Sequence, residues 1–429
     1  MALAWSPSQA SLSNGALRVD RLGTVARIGS ALLMAMVFVN GVTFDKGLGP
    51  ADEMEPKFSY NWGQPIRLAV CAACGLYGLA LLRKSARTLL KGAGVLAVAF
   101  LAWAAVTVSF AIELIPSVGA VFCLGSVVLF AAAITTVLDQ RQIVISVLKA
   151  LLAFLIGSWI AYVFFPSFGR EELLFAGGTT AERFGGLTSS QILGMHAALT
   201  VALLLVAGIQ QIARWKTLAL PLAFTAITLI LTNSRTSMIA ATGAVLIATV
   251  QMVGFARWLG AMCVLLPLAA AFGIFLVSSG LIGVNSDEAL AKITRSGDID
   301  EIYRMSGRTD QIWSLVLDKI EDSPVVGYGY GCSRFAIGFL HAHNVLLNVV
   351  LETGLIGGAC LLLQAGVFVR RLFFSHDSFC SLVFIVLLVC SLTERDLFGP
   401  IPDSLTLLWF VALFSPPGRS VLSAPESTI

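Results

Sequence analysis

Residues 191–210, QILGMHAALTVALLLVAGIQ, decide what kind of protein this is. The run holds no Asp, Glu, Lys or Arg, no proline and a single histidine, His196. A helix needs roughly 20 apolar residues to cross about 30 Å of hydrocarbon, so this stretch reads as a transmembrane helix. Its neighbours repeat the pattern. The whole chain of 429 residues is 57% hydrophobic and 12% charged, with a mean hydropathy of +0.87, outside the range of soluble globular proteins. The expected fold class is an all-α polytopic membrane protein with about 12 transmembrane helices. The expected spans are 24–44, 65–82, 90–110, 117–138, 143–165, 189–210, 217–233, 236–254, 258–282, 344–369, 378–393 and 401–416.

Orientation follows from where Lys and Arg collect in short loops. RKSARTLLK after the second span, QQIARWK, GFARW and RRLFFSHD are basic, whereas the loop after the first span carries Asp45, Asp52, Glu53 and Glu55. The basic loops are therefore expected inside, together with both termini. The first apolar run lacks an obvious small-residue cleavage site and reads as a retained span. The resulting division is a cytoplasmic tail at 1–23, helices one to nine at 24–282 with an outer loop at 166–188, a large periplasmic loop at 283–343, helices ten to twelve at 344–416, and a cytoplasmic tail at 417–429. The basic excess reports topology and implies no nucleic-acid partner.

Of the eight cysteines, seven fall inside expected spans and only Cys332 lies in an outer loop, so no disulfide framework arises. Cys71 and Cys74 have CxxC spacing, but in a helix rich in Ala and Gly they read as small residues at a helix contact. Within the long loop, GRTDQIWSLVLDKIEDSP reads as an amphipathic helix with Ile312, Leu315, Val316 and Ile320 on one face, ended by Pro324. GYGYG at 327–331 follows it as a tight, close-packed turn; its spacing is not that of a dinucleotide fingerprint.

The polar residues gather at the outer side. Arg183, Arg235, Arg308 and Arg334 all fall there, each readable alone as an interfacial anchor or solvated charge. Together they suit a phosphate-bearing substrate, because the guanidinium fork pairs bidentately with phosphate oxygens and stays charged. His343 stands at the last turn before a span, beside Asn344 as a possible N-cap. A neutral imidazole there can accept a proton, or simply bond backbone. His341 and His343, two residues apart, point to opposite faces of an extended segment, which disfavours a metal site. Glu352 lies inside the span, nine residues after His343 and so turned away from it on a helix. It reads as a structural or orienting group.

RFGGLTSSQILG, LTNSRTS, GRTDQIWSLVLDKIEDSPVVGYGYG and HAHNVLLNVVLETGLIGG, in that order, resemble the O-antigen ligase and O-antigen/exopolysaccharide polymerase superfamily of bacterial inner membranes. The likeness covers about residues 180–370. Its sharpest mark is His343 followed by ten residues and Gly354, the family's histidine pattern. The sequence departs from the family at TSSQ, where many members carry an asparagine after a histidine-proline pair. The resemblance implies a GT-C-like fold with neither metal nor cofactor. The activity implied is that of an inverting glycosyltransferase taking glycan from an undecaprenyl-diphosphate carrier on the periplasmic side. The acceptor would be lipid A core for a ligase, or another lipid-linked glycan for a polymerase. His343 would act as base or acceptor-orienting group, Arg183, Arg235 and Arg308 would hold the donor diphosphate, and His341, Asn344, Glu352 and Gly354 would support them. A flippase and a chain-length regulator are implied partners, with membrane lipids around the chain. Alternatives from other classes are a transporter or flippase of lipid-linked oligosaccharide, which should show related halves and polar groups at the bilayer midplane, and a non-catalytic scaffold.

Overall fold

The structure is a computed structural model that describes residues 8–43, 63–174, 180–255, 312–338, 342–375, 377–393 and 397–416. The expected span 258–282 and the site candidates Arg308 and His341 lie outside the described residues. The elements in chain order are α1 Ser8–Gly41, α2 Gly63–Ala80, α3 Leu82–Leu89, α4 Ala93–Thr107, α5 Leu114–Val137, α6 Gln140–Phe164 and the single turn α7 Pro166–Gly169. A two-stranded hairpin follows, β1 Arg170–Leu174 and β2 Thr180–Phe184, antiparallel with Glu171 opposite Arg183. Then come α8 Ser190–Ile209, α9 Trp215–Thr232, α10 Arg235–Val253, α11 Ser314–Asp322, α12 Ser333–Ile337, α13 Val345–Phe374, α14 Ser378–Thr393 and α15 Ser404–Phe414.

The helices start where side chains can take up their first amides. Asp139 and Gln142 form a reciprocal capping box at α6, Ser189 caps α8, Asn344 caps α13 and Asp403 caps α15. Residues 191–210 form most of α8, the most buried of the eight candidate spans among the described residues, with 83% of its apolar window buried. It packs on α6, α9, α10 and α14. Small residues set the closest approaches: Gly194 of α8 faces Ser234 and Ser237 at the start of α10, and Gly75 and Gly78 of α2 face Ser126 and Leu129 of α5. Membrane helices pack this way because lipid supplies no hydrophobic drive between them, only the gain from close contact. Cys71 and Cys74 are fully buried on α2, in the same body.

Among the described residues eight helices are long and apolar enough to cross a membrane, and nine if a bent pair counts as one span. That pair is α2 and α3, which meet at 90°. RKSARTLL, expected as a loop, is a helix: Ser85 and Leu89 are buried while Arg83, Lys84 and Arg87 are exposed, the pattern of a helix lying along an interface. α14 covers the expected 378–393, whereas α15 is shorter than the expected 401–416. α15 has 11 residues, a rise of about 16 Å, half of a hydrocarbon core. Beyond its start lies irregular backbone, residues 397–403, and beside that the irregular segment 323–332. Irregular backbone at membrane depth is tolerated only inside protein or lining a wet cavity, because lipid satisfies no N–H or C=O. Both segments are accordingly held by protein groups.

The break in α13 shows how. Gly354 has φ +66 and ψ −175 in the middle of the helix, so the ladder is interrupted there. The freed groups are taken up by the segment that follows α11: the Tyr328 and Gly329 amides donate to the Leu351 and Glu352 carbonyls at 3.0 and 2.9 Å, and the Leu355 amide donates to the Pro324 carbonyl at 2.8 Å. Trp103 Nε1 of α4 donates to the Thr353 carbonyl at 2.7 Å. The backbone of 324–329 thus lies in the gap of the broken helix, so close that a Cβ on Gly354 collides with the Val325 carbonyl. Gly354→Ala adds that collision to a left-handed backbone costing about 1–2 kcal/mol. We expect at least about 2 kcal/mol of destabilisation, read as a lower apparent melting temperature of the purified protein in detergent.

Candidate functional site

The hairpin, the α9–α10 turn, the start of α13 and the loop before α15 share one end of the bundle, here called the hairpin face. The opposite end is tied by contacts such as Arg371 of α13, whose Nη1 and Nη2 donate to the Ala412 and Leu413 carbonyls at the end of α15.

His343 occupies a tightly defined place on the hairpin face. Its backbone is left-handed, φ +51, which for a residue with a Cβ costs on the order of 1 kcal/mol and persists only where the surroundings enforce it. They do so from both sides. Trp313, just before α11, donates from Nε1 to the Ala342 carbonyl at 3.0 Å. Asn344 accepts the Leu347 amide on Oδ1 at 3.0 Å as N-cap of α13, and donates from Nδ2 to the Leu392 carbonyl of α14 at 3.2 Å. The ring is half-buried. A small apolar core supports the arrangement: Val316 of α11, Ile337 of α12, Ala342 and Leu351 are buried together, with Ile312, Leu315 and Ile320 packed against them.

Glu352 is fully buried. Its Oε2 accepts the Gly331 amide at 3.0 Å and its Oε1 the Ser333 amide at 3.2 Å. The carboxylate therefore fastens the glycine-rich turn and the first residue of α12 to α13, serving as a cap for α12. In the same turn Gly327, Gly329 and Gly331 all have positive φ, and Cβ atoms on them meet Glu352, Ala111 and Ala120 respectively. Tyr330 between them is fully buried, its hydroxyl donating to the Phe398 carbonyl at 3.2 Å. GYGYG is thus a backbone wedge with one tyrosine anchor. Cys332 donates to the Glu113 carbonyl, and burial pushes its thiol up, away from the reactive thiolate.

The arginines divide by what they hold. Arg183, on β2, is buried, with Nε donating to the Thr232 carbonyl at 3.0 Å and Nη2 to the Asn233 carbonyl at 3.1 Å. It caps the C-terminus of α9, where Asn233 turns left-handed with φ +51 and a cation is favoured by the helix dipole. Two residues on, Arg235 is the first residue of α10 and half-buried. The fold therefore brings Arg183 and Arg235 to one turn. α14 links that turn to the histidine: it packs along α10 and receives Asn344 at Leu392. Arg334 lies in α12 with its guanidinium 4.6 Å over the Phe335 ring.

Some polar groups of the hairpin face were not singled out from sequence. Arg67 of α2 donates to the Val42 carbonyl at the end of α1 and has Asp403 as its electrostatic neighbour. Asn40 donates to the Pro402 carbonyl at 2.9 Å. His196 of α8 sits fully buried below them, bonded to the Ile192 carbonyl and to Ser404 Oγ, each at 2.8 Å. A polar residue inside an expected span was the available signal, and Asn40 and Arg67 carried it.

These features define a polytopic, predominantly helical membrane protein whose hairpin face carries His343, Arg183 and Arg235. Residues 220–362, about a third of the chain, match the family model of the O-antigen ligase, and this stretch is similar to that family. The matched region contains Arg235, His343, Asn344, Glu352 and Gly354, while Arg183 precedes it. A search of the curated proteins found no match.

Glu352→Gln replaces one acceptor oxygen with a donor facing a backbone N–H. We expect about 2 kcal/mol of destabilisation and faster hydrogen exchange in peptides covering 327–334, measured by mass spectrometry. Arg183→Lys cannot bridge both the Thr232 and Asn233 carbonyls with its single ammonium; exchange at the start of α10 should rise by about tenfold.

Proposed function

We propose that this protein is an inner-membrane, inverting glycosyltransferase that transfers or polymerises glycan from an undecaprenyl-diphosphate-linked donor, with the hairpin face on the periplasmic side. The donor and acceptor classes, a lipid-linked glycan and lipid A core or a second lipid-linked glycan, are those that the family suggests. The charge pattern supports the orientation, since α3 with Arg83, Lys84 and Arg87 exposed is at the far end of α2 from Arg67 and fits the basic, cytoplasmic side.

The observation that carries the reading is the enforced left-handed backbone at His343, on the face where Arg183 and Arg235 share a turn. Strain held by contacts on both sides is typical of residues that must be presented in one geometry. In the proposed reaction the acceptor hydroxyl oxygen attacks the anomeric carbon from the face opposite the diphosphate. The C–O bond to the phosphate breaks and its electron pair leaves with the diphosphate. The hydroxyl proton passes to the His343 imidazole. Negative charge builds on the departing diphosphate, and Arg235 and Arg308 neutralise it without proton transfer, so the step calls on no metal. Arg183 adds its charge and builds the turn that presents Arg235. Asn344 and Gly354 position the histidine and the helix behind it, and Glu352 holds the wedge.

His343→Ala should lower transfer at least about 100-fold with expression and melting temperature unchanged. The assay supplies purified protein with an undecaprenyl-diphosphate-linked repeat, alone and with lipid A core. Longer chains made without added core mark a polymerase, and product only with core marks a ligase. Normal product from the His343→Ala variant would refute the assignment.

A further inference from the structure

Away from the histidine, the hairpin face holds a second polar cluster built from the ends of α1, α2 and α15. Arg67 donates to the Val42 carbonyl through Nη2, while its Nε is buried without a partner. Asp403 accepts both the Thr406 amide at 2.9 Å and the Thr406 hydroxyl at 3.2 Å on Oδ1, as the cap of α15. Asn40 is 7% exposed; its Nδ2 is held by the Pro402 carbonyl, and its Oδ1 is buried without a partner. Thr43 and Thr188 join the two sides through their hydroxyls at 2.7 Å.

Orphaned buried polar atoms are rare, because each forfeits its hydration without return. Two of them here, Asn40 Oδ1 and Arg67 Nε, belong to side chains that meet the Pro402–Asp403 stretch, and the set offers donors from a guanidinium and acceptors from a carboxylate and an amide. A ring carrying adjacent hydroxyls presents the same mixture in return. A diphosphate does not, since the carboxylate and the amide oxygen repel it. The cluster also lies close to the histidine's surroundings. Phe398, which receives the Tyr330 hydroxyl, and Pro402, which receives Asn40, are four residues apart on one loop, at most about 14 Å of chain.

We propose that Arg67, Asp403 and Asn40 bind a sugar ring of the glycan that reacts at His343; this rests on the glycosyltransferase reading. The ring belongs to the acceptor or to the donor, and kinetics separate the two. Asp403→Asn keeps an acceptor for the α15 cap while removing the charge, and Arg67→Lys keeps a donor for Val42 while removing Nε. With full-length protein in lipid nanodiscs, an undecaprenyl-diphosphate-linked oligosaccharide as donor and lipid A core or a second lipid-linked repeat as acceptor, each variant should raise KM about tenfold for one substrate, with kcat nearly constant and melting temperature unchanged. A rise confined to the acceptor assigns the ring to the acceptor, and one confined to the donor assigns it to the donor. Unchanged KM for both, or a fall in kcat alone, overturns the proposal. Absence of any transfer by the unaltered protein overturns instead the reading on which it rests.

Discussion

Everything on the hairpin face depends on the broken helix at Gly354. Inside a membrane a helix can be opened only if the peptide groups it releases find partners at once, since each one left bare in hydrocarbon costs several kcal/mol. Here the released carbonyls of Leu351 and Glu352 are met by the Tyr328 and Gly329 amides, the Thr353 carbonyl by Trp103, and the Leu355 amide by Pro324. The break is thereby also a joint. It docks the chain between α11 and α12 onto α13, and the Glu352 carboxylate locks it by taking two further amides.

This joint explains why a histidine and a glycine eleven positions apart act as one unit. Gly354 provides the gap into which the wedge fits, the wedge carries α11 and α12, and α11 brings Trp313 onto the carbonyl before His343. The other end of the span is set by Asn344, which caps α13 and reaches α14. The left-handed backbone of His343 is held between these two anchors. The same logic governs the arginines: Arg183 spends two donors on the carbonyls that end α9 and so fixes the turn in which Arg235 begins α10. A cation read from sequence as a ligand-holder is in the fold first a builder of the place where its neighbour stands.

The irregular loop before α15 is the second organising element. It lies between the wedge, through Phe398, and the end of α1, through Pro402. Because α15 is short, the depth it leaves is filled by backbone and polar side chains, among them Asp403 and Arg67. Polar groups therefore accumulate on one side of the bundle, unlike the midplane distribution of a transporter with two related halves.

The sequence by itself determined the all-helical membrane class, since runs such as residues 191–210 have no other stable state in lipid. It also marked where helices begin, because capping by Ser189 and Asn344 is a matter of nearby residues. The amphipathic face of α11 was legible for the same reason: Val316 and its neighbours follow a local period, and Pro324 ends it. Family pattern brought His343 and Gly354 forward without saying what the glycine does. Only the tertiary structure decided that Gly354 opens the helix to a segment some 25 residues earlier, that Glu352 serves backbone rather than the histidine, that Arg183 caps α9, and that Asn40, Arg67 and Asp403 meet. Each of these is a contact between parts of the chain far apart in sequence, and neither periodicity nor capping rules extend beyond a few turns of one element.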